Sequence, residues 1–216
     1  MMRSYGPALL GAALVAAAPA TAWAQGAAGS VALENDYVRV SRDAAPCAAA
    51  ARGQCEDRVI LAMGDIELFA AGAPRQMKYG EVAVFKAGES YGAPSGGKYF
   101  EVAIKPNHPP VRSPAELIPP PKNLLVFEGR EFFIYEEKLE VGDTRARHSH
   151  SQRVEIRLNQ GPQLTQQIWR DGQVVQQHPP IVNWREPVIH EVKNVGDMAL
   201  RNFILEFLPE PRQGSR

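Results

Sequence analysis

Neither sign of charge dominates this chain. Its 216 residues carry 24 Lys+Arg against 24 Asp+Glu, a formal net charge of zero. Without a basic excess or a basic patch, nucleic acid is not an expected partner, and without a polybasic run neither is an anionic membrane surface. Cysteine is scarce: Cys47 and Cys55 are the only two. Long apolar runs are scarce as well, and past the N-terminus no stretch approaches membrane-spanning length. No long segment carries a helical period. There is no P-loop, no dinucleotide fingerprint and no Ser-His-Asp order, so none of the chemistries those motifs support is expected.

Turn formers are abundant instead, with 18 prolines and 18 glycines. They punctuate short runs rich in branched and aromatic residues, as in Glu131 to Leu139 and Leu200 to Leu208. Asp171-Gly172 separates Gln167-Arg170 from Gln173-Val175 and predicts a hairpin with a primed two-residue turn. The expectation is an all-β chain.

Residues 1–24 read as a signal peptide. Arg3 supplies the charge, Ala8 to Ala18 the apolar core, and Ala22-Trp23-Ala24 the small-x-small cleavage site before Gln25. The apolar run is short and alanine-rich for a membrane anchor. Export would place the protein in the periplasm or outside the cell. In that oxidising setting Cys47 and Cys55 are expected to pair, closing a short loop at a gain of roughly 2–3 kcal/mol on the chain-entropy model.

The chain also repeats itself. Glu34 to Val40 aligns with Glu128 to Ile134, Asp57-Arg58-Val59 with Gln152-Arg153-Val154, and Tyr99 to Ile104 with Asn202 to Phe207. Between the copies lies a proline-rich segment, Pro106 to Pro121, which cannot enter a sheet interior because proline lacks an N–H donor. One helical turn is expected within it at Ala115-Glu116-Leu117. The predicted organisation is a first β repeat over residues 25–106, a linker over 107–122 and a second β repeat over 123–212.

Chemistry concentrates in the second repeat. His148 and His150 are two apart, so on a strand both imidazoles project to one face. His190 stands on a second strand-like run. Imidazole is the commonest side-chain ligand of Zn, Fe, Cu and Ni. Three imidazoles from two adjacent strands could cap one metal ion and leave positions open. In the first repeat, Gly53 and Cys55 occupy the places of His148 and His150. His108 and His178 precede prolines and are expected to be solvated. Arg145, Arg147 and Arg153 flank the histidines. An inward arginine, Arg153 above all, could hold a carboxylate or phosphate substrate, the alternative being solvation or pairing with Glu155 and Asp143. Glu136, Glu137 and Glu140 are expected on a solvated strand edge.

Gly142, His148, His150 and Gly161 resemble the first motif of the cupin superfamily, and His190 with Asn194 resembles the end of its second. Arg185-Glu186-Pro187 departs from the Pro-x-Gly turn of that second motif. The resemblance implies two jelly-roll β-barrels of the double-stranded β-helix type in one chain, of which the second binds metal. In the motif a glutamate follows the histidines. Counting forward from His150 reaches Glu155, but counting back from Gly161 reaches Val154. Val154, Ile156 and Leu158 alternate with Glu155, and an apolar face pointing into the barrel sends Glu155 outward. A three-histidine set is therefore expected, with Glu155 either the alternative ligand or an outer group. The cofactor implied is one divalent ion, Fe, Mn, Ni or Zn. The function implied is a metal-dependent enzyme acting on a small molecule, dioxygenase- or isomerase-like, the alternative being a non-catalytic module that holds a small ligand or the metal. A homodimer is left open.

Overall fold

The structure is a computed structural model and describes residues 29–46, 55–119, 123–159 and 161–209. The first repeat contains β1 (Val31–Glu34), β2 (Val38–Arg42), β3 (Asp57–Ala62), β4 (Ile66–Ala70), β5 (Ala73–Met77), β6 (Val82–Phe85), β7 (Ser95–Gly96) and β8 (Tyr99–Ile104). The second contains β9 (Leu124–Glu128), β10 (Phe132–Leu139), β11 (Thr144–His150), β12 (Arg153–Arg157), β13 (Thr165–Trp169), β14 (Val174–Gln177), β15 (Val182–Arg185), β16 (Val188–Asn194) and β17 (Leu200–Phe207). There is no helix among the described residues, and the turn expected at Ala115–Leu117 does not form. The signal segment, Cys47 and Gly53 lie outside the described residues.

Each repeat pairs one five-stranded sheet with a smaller one. The orders are β1-β2-β8-β3-β6 with β5-β4-β7, then β15-β12-β17-β10-β9 with β11-β16-β13-β14. The two five-stranded sheets share a register. Val102 lies between Val40 and Val59, and Leu205 lies between Ile134 and Val154. These are the positions that the sequence repeat equates, so both copies are the same jelly-roll unit.

The largest core lies between the repeats. Val38, Val40, Val59, Leu61, Phe100 and Val102 of the first copy pack in one cluster with Ile134, Val154, Ile156, Leu158, Phe203 and Leu205 of the second. This corrects the expected facing of β12. Its apolar side points at the other repeat, and its polar side, Arg153 and Glu155, points into its own barrel. A strand buried on both faces gives alternation no solvent to report on, so the apolar side is not necessarily the barrel side.

The two barrels are filled differently. Inside the first, Ile60, Ile66, Leu68, Met77, Phe85 and Tyr91 form an apolar plug. Ile60 stands where the second repeat has Glu155. Inside the second, buried Tyr135, Glu137, Arg145, His148, His150, His190, Asn202 and Glu206 make a polar box. Polar groups stay buried at tolerable cost only where they are hydrogen-bonded or paired.

The linker straps the edge of this box. Ser149 donates its N–H to the carbonyl of Ile118 at 2.9 Å, and the N–H of Ile118 donates to Ser149 Oγ at 2.7 Å. Val111 packs on the shared core. His108 is half-buried rather than solvated, with its ring centroid 5.3 Å from Tyr37 and 5.4 Å from Phe207. The Asp171-Gly172 hairpin forms with a longer loop than expected. Only Gly172 takes positive φ, at 85°, so the turn closes at Trp169–Gly172 and a bulge follows, in place of a primed turn that needs two such residues.

Candidate metal centre

Strand β11 would not place its histidines correctly if it ran regularly. Arg145 pairs with Val192, and regular pairing would then set Arg147 opposite His190. A β-bulge over Ala146 and Arg147 adds one residue, so His148 pairs with His190 instead. Arg145 and His148 are consequently both buried, while Ala146 and Arg147 are exposed. His150 follows on the same face, opposite Val188. The motif residues Gly142 and Asn194 serve the turns at the far end of these strands. Gly142, at φ 83°, donates its N–H to the carbonyl of Asn194, whose side-chain amide donates to the carbonyls of Leu139 and Met198.

His148, His150 and His190 meet inside the barrel. Each offers a ligand atom, and these atoms all lie within 4.8 Å of one another. Every ring is anchored through Nδ1. That of His148 lies 2.8 Å from the carbonyl oxygen of Ala146, in the bulge itself. That of His150 lies 2.8 Å from Glu206 Oε2, and that of His190 lies 3.1 Å from Gln167 Oε1. Backbone carbonyl and carboxylate only accept, so in the neutral rings of His148 and His150 Nδ1 carries the proton and Nε2 the lone pair. Gln167 imposes the same tautomer on His190 through its amide oxygen. The Nε2 atoms of His148 and His190 are buried and have no hydrogen-bond partner. An orphaned buried acceptor costs about 1–3 kcal/mol, a cost that a bound metal ion removes.

The rings are also neutral. Burial, aided by the Arg145 and Arg153 charges, lowers the pKa of His148 to about 4, against the hydrogen bond it donates to the Ala146 carbonyl, which raises it. Burial first, and Arg153 second, push His150 and His190 well below the usual imidazole range. Neutral imidazole is the form that binds metal. Three nitrogen donors with positions left open fit a divalent Fe, Mn, Ni or Zn ion.

Glu155 is neither outward nor among the grouped ligands. It faces the barrel interior, and its carboxylate is held by Arg153 Nε at 3.0 Å and Arg185 Nε at 2.9 Å. Burial works to raise its pKa, but the two guanidiniums outweigh burial and hold it below the usual glutamate value. Arg153 is thus inward and paired with Glu155. Arg145 is inward and paired with Glu137 at 2.6 Å, and Arg147 is exposed. Glu137 is therefore buried rather than on a solvated edge, because Arg145 and the amide of Asn202 at 3.0 Å satisfy its carboxylate.

Sequence reasoning missed Glu206, Tyr135, Gln167 and Arg185. Glu206 also accepts the Ser151 N–H at 2.7 Å and lies 3.0 Å from the Tyr135 hydroxyl. Burial raises its pKa, against Arg153 and those hydrogen bonds. A lone carboxylate in the otherwise apolar run Phe203 to Phe207 was the available signal.

No family model matches this sequence, and no curated protein matches it. Solved structures do match. The Cupin 2 conserved barrel domain protein from Leptotrichia buccalis is 13% identical, with a TM-score of 0.50 over 82% of this chain and 86% of that one. AerE from Microcystis aeruginosa is 15% identical, with a TM-score of 0.52 over 81% and 88%. Oxalate decarboxylase from Bacillus subtilis is 12% identical, with a TM-score of 0.51 over 79% and 68%. The chain thus has the fold of these cupin structures, as two like barrels in one polypeptide, with the motif histidines in the second alone.

Proposed function

We propose that the second barrel holds one divalent metal ion on His148, His150 and His190, and that the protein acts there on a small molecule. The observation that carries this reading is the anchoring of three Nδ1 atoms while two buried Nε2 atoms are left without partners. Such an ion would polarise a bound oxygen or, as Fe(II), supply oxygen chemistry. The chain's own part is positional. Ala146, Glu206 and Gln167 set the imidazole planes, and the shared core holds β12 and β17 behind them. Metal analysis of the purified protein should find one ion per chain, lost with His148→Ala plus His150→Ala. Two equal sites, or a site that survives that double change, would reject the assignment.

A dioxygenase- or isomerase-like enzyme is the active form of this reading. A specific observation supports the alternative of a binding module: the cavity beside the histidines has a volume of about 20 Å³. That is room for one water-sized group. Metal without turnover across a small-molecule screen would favour the module.

Export completes the proposal. Mature protein should begin at Gln25 when sequenced from a periplasmic or secreted fraction, and recovery of unprocessed Met1 in the cytoplasm would end that claim. Cys55 is buried, and its expected partner Cys47 lies outside the described residues. Intact mass two hydrogens below that of the reduced form would demonstrate the disulfide, and two alkylatable thiols would exclude it. A homodimer is not required by any of this. No helix among the described residues is long and apolar enough to cross a membrane.

A further inference from the structure

The departure from the cupin motif at Arg185-Glu186-Pro187 has a structural use. The Glu186 carboxylate gathers three donors: Arg112 Nη2 at 2.5 Å, the Gln152 side-chain amide at 3.2 Å and the Trp184 indole N–H at 2.9 Å. Arg112 belongs to the linker, Gln152 follows β11 and Trp184 lies on β15. Trp184 in turn stacks on Tyr37 of the first repeat, with centroids 5.0 Å apart, and Tyr37 also stacks on His108 of the linker. Glu186 therefore ties the first repeat and the linker to the end of the second barrel that holds the histidines.

Strand β11 needs such support. It is the outermost strand of its sheet, so only β16 flanks it there. The bulge at Ala146 and Arg147 breaks its pairing, and the strand ends at His150. Two of the three histidines accordingly sit on a short strand end at an open edge, the kind of element that opens locally. The linker closes that edge. Ile118 makes two hydrogen bonds to Ser149, the buried residue between His148 and His150. Arg112 donates its N–H to Oε1 of the buried Gln152 at 2.9 Å. Glu186, which receives the Arg112 guanidinium, stands two residues before Val188, the partner of His150. His150 is bracketed from both strands.

We propose that residues 112–118 are a clasp. Docked on Ser149 and Glu186, they hold His148 and His150 in position for the metal centre proposed above, on which this inference rests, and metal binding there tightens the clasp in return. Arg112, Ile118 and Glu186 are positioning residues. The coupling is reciprocal by thermodynamic necessity: a clasp that raises metal affinity by some factor is itself stabilised by metal by that factor.

The full mature chain carries its own probe, because the Arg112–Ser113 bond is a trypsin site within the clasp. Zn²⁺ should slow cleavage there about tenfold, while a free peptide spanning Pro106 to Pro121 is cut at one rate with or without it. Glu186→Gln should speed cleavage of the metal-free protein about three- to tenfold, since the pair with Arg112 is weakened. Ile118→Pro removes the N–H that Ser149 Oγ accepts and should weaken Zn²⁺ about tenfold, whereas Ile118→Val keeps that donor and should bind as the wild type does. Wild-type cleavage that Zn²⁺ leaves unchanged would overturn the clasp without any mutation. So would wild-type affinity in Ile118→Pro, or equal losses in Ile118→Pro and Ile118→Val. Each of these outcomes leaves the metal centre standing. Zn²⁺ that does not bind, or that binds His190→Ala as well as the wild type, would instead overturn the metal centre and this inference with it.

Discussion

Glu206→Gln separates anchoring from ligation. The carboxylate receives the His150 Nδ1–H at 2.8 Å and the Ser151 N–H at 2.7 Å, with the Tyr135 hydroxyl at 3.0 Å. It contacts His150 through Nδ1 and lies outside the group of mutually close ligand atoms, so it reads as an anchor of the ring. Gln keeps the shape and one accepting oxygen, but its NH₂ has to face a group that donates. A charge-assisted hydrogen bond is worth about 1.5–3 kcal/mol. Losing it frees the ring to rotate or to change tautomer, and it makes Nε2 less basic. Metal affinity should fall about 10–100-fold, the range for groups that orient a ligand. His190→Ala should cost far more, since a donor and its chelate geometry both disappear. The assay is competition for Zn²⁺ against a chromophoric chelator, with ¹⁵N NMR of His150 reporting its tautomer. Unchanged affinity and an unchanged tautomer in Glu206→Gln would refute the reasoning. A loss equal to that of His190→Ala would place Glu206 among the ligands.

Apo-protein stability should fall as pH falls between about 6.5 and 4. His148 in the unfolded chain titrates near its ordinary value of 6.5, whereas in the fold its pKa is lowered to about 4, so within that window the unfolded state binds more protons and stability rises with pH. The effect for His148 alone is on the order of 3 kcal/mol, and denaturant melts from pH 7 to 4 that show no such slope would contradict a buried neutral ring. Leu205→Ala removes a fully buried side chain from the core shared by both repeats and should cost about 2–5 kcal/mol. The variant should still unfold in one transition, and two separated calorimetric transitions would show that the repeats are independent.

The fold was legible because its determinants are local. Branched and aromatic runs between glycines and prolines specify strands, and the repeat of Val40, Val59 and Val102 in Ile134, Val154 and Leu205 specifies one unit used twice. The histidine trio was legible too, since a two-residue spacing needs only a strand to share a face. The facing of Glu155 was not. Alternation distinguishes two faces of a strand without naming what each face meets, and here the apolar face meets another barrel rather than the interior.

Chain pattern alone, then, determined two β repeats with an imidazole pair and a third imidazole in the second. Tertiary structure decided the rest. The bulge at Ala146 and Arg147 brings His148 opposite His190, a matter of register that depends on the neighbouring strand. Glu206, Gln167 and the Arg153–Glu155–Arg185 group come from strands distant in sequence. Spacing along a chain cannot report contacts that exist only after long-range pairing has closed the barrel.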